Sequence, residues 1–511
     1  MRSERQKEIL AQLEAERNRE KSSKGLVFFR LIAILYVLLA AAFAALLWWL
    51  NVLPAKYFYA GLAALVIASV FIVPVMFSRY GIKKRKIAAT IVAVLLIGVF
   101  GVGSFYLADT LDFLGNITQV AQAKEDYYLI VRSDEAYEDV SELDGQTVAT
   151  YMSHDMVYSE AKSKLQEQVN VEYAYAEALT DVMSKLLDGE YNACFISAAS
   201  YESMKSSTDD VIEAMAPAES TRILYTVSIP LEEQDHSSAV DVTAESFNIY
   251  ISGSDMEGSI DIPNRTDVNM IASVNPVTNE ILLTSIPRDY YVELPSKGAM
   301  DKLTHSSLYG IRESVAAIEN QLGIEINYYL RVNYSTVMKL VDAIGGIEIQ
   351  SDRDFYTSGM KGMPELNGLH FVKGTNKVNG KQALAFCRER HSFSEGDMAR
   401  NENQQQVMEA IIKKCTSSTT ILTKYTSLLD AVKDNLSTNM TADEMSALVK
   451  MQLDKMPSWD ITKQAIKGTN NAEYCYSLGI SASTVDAIPE LEMQAIDRIV
   501  RTASGTTVPQ E

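Results

Sequence analysis

Cysteine and histidine are scarce in this chain, at four and five of 511 residues. The cysteines (Cys194, Cys387, Cys415, Cys475) form no CxxC, and the histidines (His154, His236, His305, His370, His391) form no HExxH or other close pair, so no zinc site is expected. Basic residues thin out beyond the N-terminal fifth. Of 46 Lys+Arg and 66 Asp+Glu, 14 and 5 fall within residues 1–107, which leaves 32 and 61 downstream and a formal charge of −29 there. So acidic a domain repels nucleic acid and anionic surfaces, and any anion it binds must be held by a local Arg cluster. The length calls for two or three folded units. No internal repeat or long low-complexity tract is visible.

What is present first is apolar sequence. Leu31–Leu50, Tyr57–Ser78 and Ile87–Ala108 carry no charge, and each approaches the roughly 20 residues a helix needs to cross a bilayer. Three such runs with short loops argue against a lone signal peptide. The leader carries Arg2, Arg5, Lys7, Arg17, Arg19, Lys21 and Lys24, the second loop Arg79, Lys83, Lys84, Arg85 and Lys86, and the first loop only Lys56. Basic loops resist translocation, so the N-terminus is expected in the cytoplasm and everything after Ala108 outside. The expected division is a cytoplasmic leader (1–24), three membrane helices (25–110), an accessory α/β domain (118–228), a second α/β domain (246–416) and a helical extension (417–511).

Residues 127–223 alternate short strands and helices. ELDGQTVAT and VMSKLLDGEYNA resemble one lobe of extracellular solute-binding proteins; with no facing lobe to close on a ligand, a structural or regulatory role is expected. Thr226–Ala244, with Pro230, Glu232, Glu233 and Asp235, reads as a linker. Beyond it, SFNIYISG, VNMIASVN and EILLTSI read as strands. Ile311–Leu322, Ser335–Ala343, Lys381–Glu389, Met398–Lys414, Ile421–Leu436, Ala442–Met456 and Leu491–Thr502 have helical spacing.

Arg and Asp cluster where these strands end, which is where open α/β sheets place their sites. One cluster holds Asp255, Arg265 and Asp267; Arg265 and Asp267, two apart, face the same way in extended chain. Another is Arg288-Asp289, turned out of a strand by Pro287. The densest is FCRERHSFSEGDMARNENQQQV. There Arg388 and Arg390, about 200° apart on a continuous helix, must sit where the helix frays. Asp397, Arg400 and Gln404 share one face at the start of the next helix, an arrangement suited to phosphate oxygens. Local ion pairing with Asp289, Glu389 and Glu395 is the competing explanation for these Arg. Asp255 and Asp267 suit either caps and turns or Mg2+, which takes one or two carboxylates plus phosphate oxygens.

FNIYISGSD, NRTDVNMIASVNPVTNEILLTSIPRDYYVELP, DKLTHSSLYG, YYLRVNYSTVMKLVDAIGGIEI and NGKQALAFCRERHSFSEGDMARNENQQQVMEAIIKK together resemble the LytR-CpsA-Psr family over about 170 residues. Three membrane helices and an accessory domain ahead of that region are similar to its capsule-type members. The resemblance implies an α/β fold, an α-β-α sandwich with a central mixed sheet, that binds a polyprenyl diphosphate-linked glycan, the lipid tail in an apolar pocket and the diphosphate on Arg and Mg2+ (or Mn2+). Asp255 and Asp267 would hold the metal; Arg265, Arg288, Arg388, Arg390 and Arg400 the diphosphate, with Gln404 nearby; and Asp397 would orient the Arg cluster. Peptidoglycan would be the acceptor, the membrane the platform, and wall-polymer assembly proteins further partners. The implied reaction is glycopolymer transfer to peptidoglycan by phosphotransfer; the proton acceptor is not readable, and Asp267 or Asp255 could serve only if not fully committed to metal.

Two rival readings stand beside it: a membrane sensor of envelope polymer synthesis, with the solute-binding-like lobe as sensor and the three helices as transmitter, and a phosphohydrolase using the same site with water as acceptor. The short leader and loops offer little room for a signalling domain. Cys387 reads as core filling. Cys415 and Cys475, 60 residues apart in the outer part, are the expected disulfide.

Overall fold

The structure, a computed structural model, describes residues 2–51, 53–78, 83–117, 124–153, 155–205, 207, 209–231, 240–254, 264–360, 363–394, 396–417, 424, 427–428, 430–432 and 436–505. It divides into two compact units, Met1–Leu114 with Met445–Met456, and Gly115–Glu444 with Pro457–Glu511.

The first unit is built on the helices Arg2–Leu50, Ala55–Phe77 and Lys83–Ile117. Leu26–Leu50, Ala55–Phe77 and Lys83–Ala108 are long and apolar enough to cross a membrane. They expose Leu31, Phe71 and Leu95, each above 60% or at it, as helices that are apolar all round do when lipid is their solvent. Small residues let them pack: Ala33, Ala40 and Ala93 sit in one core with Tyr36, Met76 and Phe100. The three expected runs are therefore helical; the second and third helices begin two to four residues before them, and the first extends back to Arg2.

The second unit contains two sheets. The first has order β3-β2-β4-β1-β5, from β1 (Lys124–Arg132), β2 (Thr147–Tyr151), β3 (Glu172–Ala176), β4 (Ala193–Ser197) and β5 (Thr221–Pro230). β2 runs parallel to β3 and β4, and β1 antiparallel to β4 and β5. Alternation along β1 sends Tyr127, Leu129 and Val131 into a core with Tyr158 and Phe195, while Ile130 faces Val182, Met183 and Leu186 on the other side. Thr226–Pro230, expected in a linker, extends β5, because its residues pair with Lys124–Tyr128. The rest of that linker falls largely outside the described residues.

The second sheet has order β16-β11-β6-β7-β8-β17. Its strands are β6 (Phe247–Ser254), β7 (Thr266–Asn275), β8 (Glu280–Ile286), β11 (Tyr328–Asn333), β16 (Leu436–Thr438) and β17 (Asp460–Ala465). β6 is parallel to β11 and β8 to β17, whereas β7 is antiparallel to both neighbours. One face packs against helices Ile311–Leu322 and Pro489–Ser504 through Tyr250, Ile271, Leu282, Ile318 and Ile499. The opposite face carries helices Tyr334–Ala343, Gly380–Arg388 and Asp397–Cys415. The result is the expected α-β-α sandwich with a mixed central sheet.

Two expectations fail. The stretch after residue 417 is not a helical extension: β16 and β17 are edge strands of the central sheet, and β18 (Gly468–Cys475) and β19 (Ile480–Ala487) form a hairpin. Half-exposed edge strands such as Asp460–Ala465 lack a continuous apolar signal. Of the helices expected there, Ala442–Lys455 and Pro489–Ser504 form, and Ile421–Leu436 lies mostly outside the described residues. The disulfide is also absent. All four thiols are free: Cys415 packs against the core of Val341 and Val407, whereas Cys475 is fully buried with Ile130 and Cys194. Cys387 is core filling, as expected.

Candidate active site

The pairing of β6, β7 and β8 brings the Arg and Asp clusters to one sheet edge. Ser254 at the end of β6 lies opposite Thr266, and Ile286 at the end of β8 lies opposite Asn269. Arg265, Asp267 and Arg288 therefore emerge together. At Gly253 an added Cβ would lie 2.8 Å from that of Val268, so glycine is needed for the two strands to approach at this edge.

Helix Gly380–Arg388 delivers Arg388 from its last turn, and Glu389 turns extended (φ −66°, ψ 126°), which releases Arg390 toward the same place. Glu389 is fully buried and caps the loop, accepting from the Ser358 N–H (2.7 Å) and the Ser392 N–H (2.9 Å). It is a structural acceptor here. Helix Asp397–Cys415 begins after Gly396 (φ +55°) and aims Asp397 and Arg400 at the cluster.

These residues line a cleft of about 980 Å³ that contains Arg265, Arg288, Lys302, Arg388, Arg390 and Arg400 against Asp209, Asp267, Asp289 and Asp397. Such a basic concentration is exceptional in a domain near −29. Asp397 joins three of the cations: its carboxylate lies 3.2 Å from Arg288 Nε, 3.4 Å from Arg390 Nη1 and 3.2 Å from Arg400 Nη2. Burial opposes ionisation of Asp397, but Arg400, Arg288 and Arg390 overcome it and hold its pKa below the usual carboxylate range. Asp267 accepts from Arg288 Nη1 at 2.8 Å. Burial would raise its pKa as well; Arg288, Arg400 and Arg265 outweigh that and hold it at about 2. The same carboxylates lift the Arg288 guanidinium further above its ordinary value against burial. Asp289 bridges Arg288 (3.6 Å) and Lys302 (3.3 Å).

Arg388 lies over the Tyr334 ring, 4.9 Å from its centroid. Tyr334 lines both the polar cleft and a narrow apolar slot under it, bounded by Ile251, Val268, Met270, Val337, Leu384 and Val407. Gln404, one turn beyond Arg400, lines that slot and not the cleft itself. Arg400 Nε and Gln404 Nε2 are buried with no hydrogen-bond partner among the described residues, a cost that a polar ligand would relieve. Asp255 lies outside the described residues. Among those described, no group of three or more His, Cys, Asp and Glu side chains could hold a metal ion.

Sequence reasoning missed Lys302, His305 and Tyr334 as lining residues. His305 Nδ1 is 2.6 Å from Asp301 Oδ1, and the other Asp301 oxygen accepts from the Ser477 N–H (2.8 Å) and the Ser477 hydroxyl. Asp301 and His305 are i and i+4, a spacing legible in DKLTH, but nothing local says that His305 lines the cleft with Asp301 buried behind it.

A family model described as the LytR_cpsA_psr family matches residues 221–492. The polyisoprenyl-teichoic acid–peptidoglycan teichoic acid transferase TagU of Bacillus mycoides (strain KBAB4) is 36% identical over 235 residues, 45% of this chain and 73% of that protein. The protein of the same name from Enterococcus faecalis (strain ATCC 700802 / V583) is 33% identical over 229 residues, 44% of this chain and 71% of that one. The crystal structure of B. subtilis TagU is 29% identical, with a TM-score of 0.39, and covers 52% of this chain and 100% of that one.

Proposed function

The chain belongs to the LytR-CpsA-Psr family, whose model matches more than half of it, and on that premise we propose that it transfers a cell-wall glycopolymer from a polyprenyl diphosphate to peptidoglycan. The observation that carries this reading is the junction at Tyr334, where an Arg-lined cleft opens above an apolar slot. A ligand matched to both would join a compact polyanion to an apolar group, and the slot, at about 50 Å³ against the cleft's 980 Å³, would have to widen to take a hydrocarbon chain. The relatives' name, polyisoprenyl-teichoic acid–peptidoglycan teichoic acid transferase, supports the same chemistry.

In the proposed reaction a peptidoglycan hydroxyl attacks the phosphorus next to the glycopolymer. A new P–O bond forms, the bridging P–O bond breaks, and polyprenyl phosphate leaves. Arg265, Arg288, Arg388, Arg390 and Arg400 hold the diphosphate and its developing charge, and Asp397 fixes three of those guanidinium groups in place. Asp267, ionised and paired with Arg288, is a weak proton acceptor. His305, oriented by Asp301 and lining the cleft, is an alternative group for the hydroxyl proton.

Mg2+ on Asp255 and Asp267 is part of this proposal. The chemistry fits: Asp267 is a cleft-lining carboxylate that stays charged, and Mg2+ is commonly bound by one or two carboxylates plus phosphate oxygens, without a full protein cage. When bound, the ion would neutralise diphosphate charge. Transfer unaffected by EDTA would remove the metal from the mechanism. The positive-inside pattern supports an N-terminus in the cytoplasm with the cleft outside, and the relatives' name supports a polymer of the teichoic-acid type, with a capsular polymer the alternative. Mass spectrometry of lipid co-purifying with the full-length protein tests the donor. A polyprenyl phosphate or diphosphate is expected; ordinary phospholipid alone would contradict it.

A further inference from the structure

The cleft has a second wall, without guanidinium groups. It is formed by Ser203, Ser207 and Asp209 of the accessory domain and Asn471, Ser481 and Ser483 of the β18–β19 hairpin. These six bring hydroxyls, a carboxamide and a carboxylate, and no cation. Such a surface does not attract phosphate, and Asp209 disfavours an anionic polymer beside it; it matches the hydroxyls of an uncharged sugar. At about 980 Å³ the cavity is at the upper end for small-molecule sites, more than a diphosphate fills.

The wall is fixed. Lys297 Nζ lies 2.7 Å from both Glu125 and Asp155 of the accessory domain, with all three side chains 11% exposed or less. Cys475 and Leu478 of the hairpin are buried in the accessory core, and at Gly479 an added Cβ would lie 2.8 Å from the Leu179 Cβ. Ser477, in the same hairpin, holds Asp301. A wall anchored this way is preorganised for a ligand.

We propose that the accessory domain and the hairpin form a saccharide subsite for the uncharged sugars that adjoin the diphosphate on the donor. Because arginines and wall bound one continuous cavity, a glycan joined to a diphosphate on the first can lie along the second. The inference rests on the diphosphate reading above, and it makes the accessory domain a specificity element of the active site and not a receptor of its own.

The test is binding to the full-length protein in detergent of three probes: farnesyl diphosphate, farnesyl diphosphate carrying an uncharged N-acetylhexosamine disaccharide, and the free peptidoglycan disaccharide. The wild type should bind the sugar-bearing probe at least tenfold more tightly than the bare one, and Ser481→Trp or Ser483→Trp should bring that ratio near one. Asn471→Ala, which adds no bulk, should lower it several-fold. A bare probe that binds as tightly as the sugar-bearing one, a ratio unmoved by all three variants, or displacement of the sugar-bearing probe by the free disaccharide would overturn the donor subsite alone. No binding of farnesyl diphosphate at all would overturn the diphosphate reading, and this inference with it.

Discussion

Replacing Asp267 by Asn is expected to destabilise the ligand-free protein by an amount the site itself sets. The carboxyl titrates at about 2 in the fold against an ordinary 3.8; at 1.36 kcal/mol per pK unit, the net interaction of its charge is worth about 2–3 kcal/mol. The loss should not exceed this greatly, because Arg288 keeps Asp397 at 3.2 Å and Asp289 at 3.6 Å. For a unit of this size the melting temperature should fall by roughly 2–5 °C. The folded-state pKa is depressed, so the stabilisation is complete well above the ordinary pKa and disappears as pH falls through about 2. Thermal unfolding of wild type and D267N in detergent, followed from pH 8 to the acid limit of the native state, measures it. The gap should be constant down to about pH 5 and begin to narrow below about pH 4. Equal melting temperatures at pH 7, or a gap that does not narrow in acid, would refute the electrostatic reasoning.

Arg388→Ala with Arg390→Ala should lower transfer by at least about 100-fold while leaving the melting temperature within a few degrees, since charge-assisted contacts at the reacting phosphate are lost; near wild-type transfer would remove both from the site. His305→Gln should lower kcat by about 10²- to 10⁴-fold with donor affinity retained, and a kcat within threefold of wild type would take His305 out of the chemistry. Unfolded, unreduced protein should present four reactive thiols to a labelling reagent, because all four cysteines are free; two would mean a bridge forms after all.

Much of this molecule was legible in its sequence where a signal is local. The membrane helices follow from long apolar runs, and the sandwich helices Ile311–Leu322 and Asp397–Cys415 from their periodicity. The convergence of Arg265, Asp267, Arg288, Arg388, Arg390, Asp397 and Arg400 on one cleft was readable from Arg-Asp density at strand and helix ends together with the family resemblance. What escaped is set by pairing over long sequence separations. β17 joins the central sheet beside β8 about 180 residues away, and its half-exposed edge pattern carries no strong period. β18 and β19 turn at Leu478-Gly479, and only the fold shows that this turn is buried in the accessory core. The same blindness produced the Cys415–Cys475 expectation, because the two residues belong to different hydrophobic cores. His305 was overlooked because its meaning lies in Ser477, which locks Asp301 from 176 residues away.

The central claim is transfer to a glycan and not to water, and the most direct measurement supplies purified full-length protein with a polyprenyl diphosphate-linked glycopolymer and peptidoglycan. Both products are then quantified by mass spectrometry. Polymer joined to peptidoglycan through a phosphodiester, with one polyprenyl phosphate released per link, is the expected result. Polymer released at the same rate with and without peptidoglycan, and none of it attached, would make the protein a phosphohydrolase and contradict the claim.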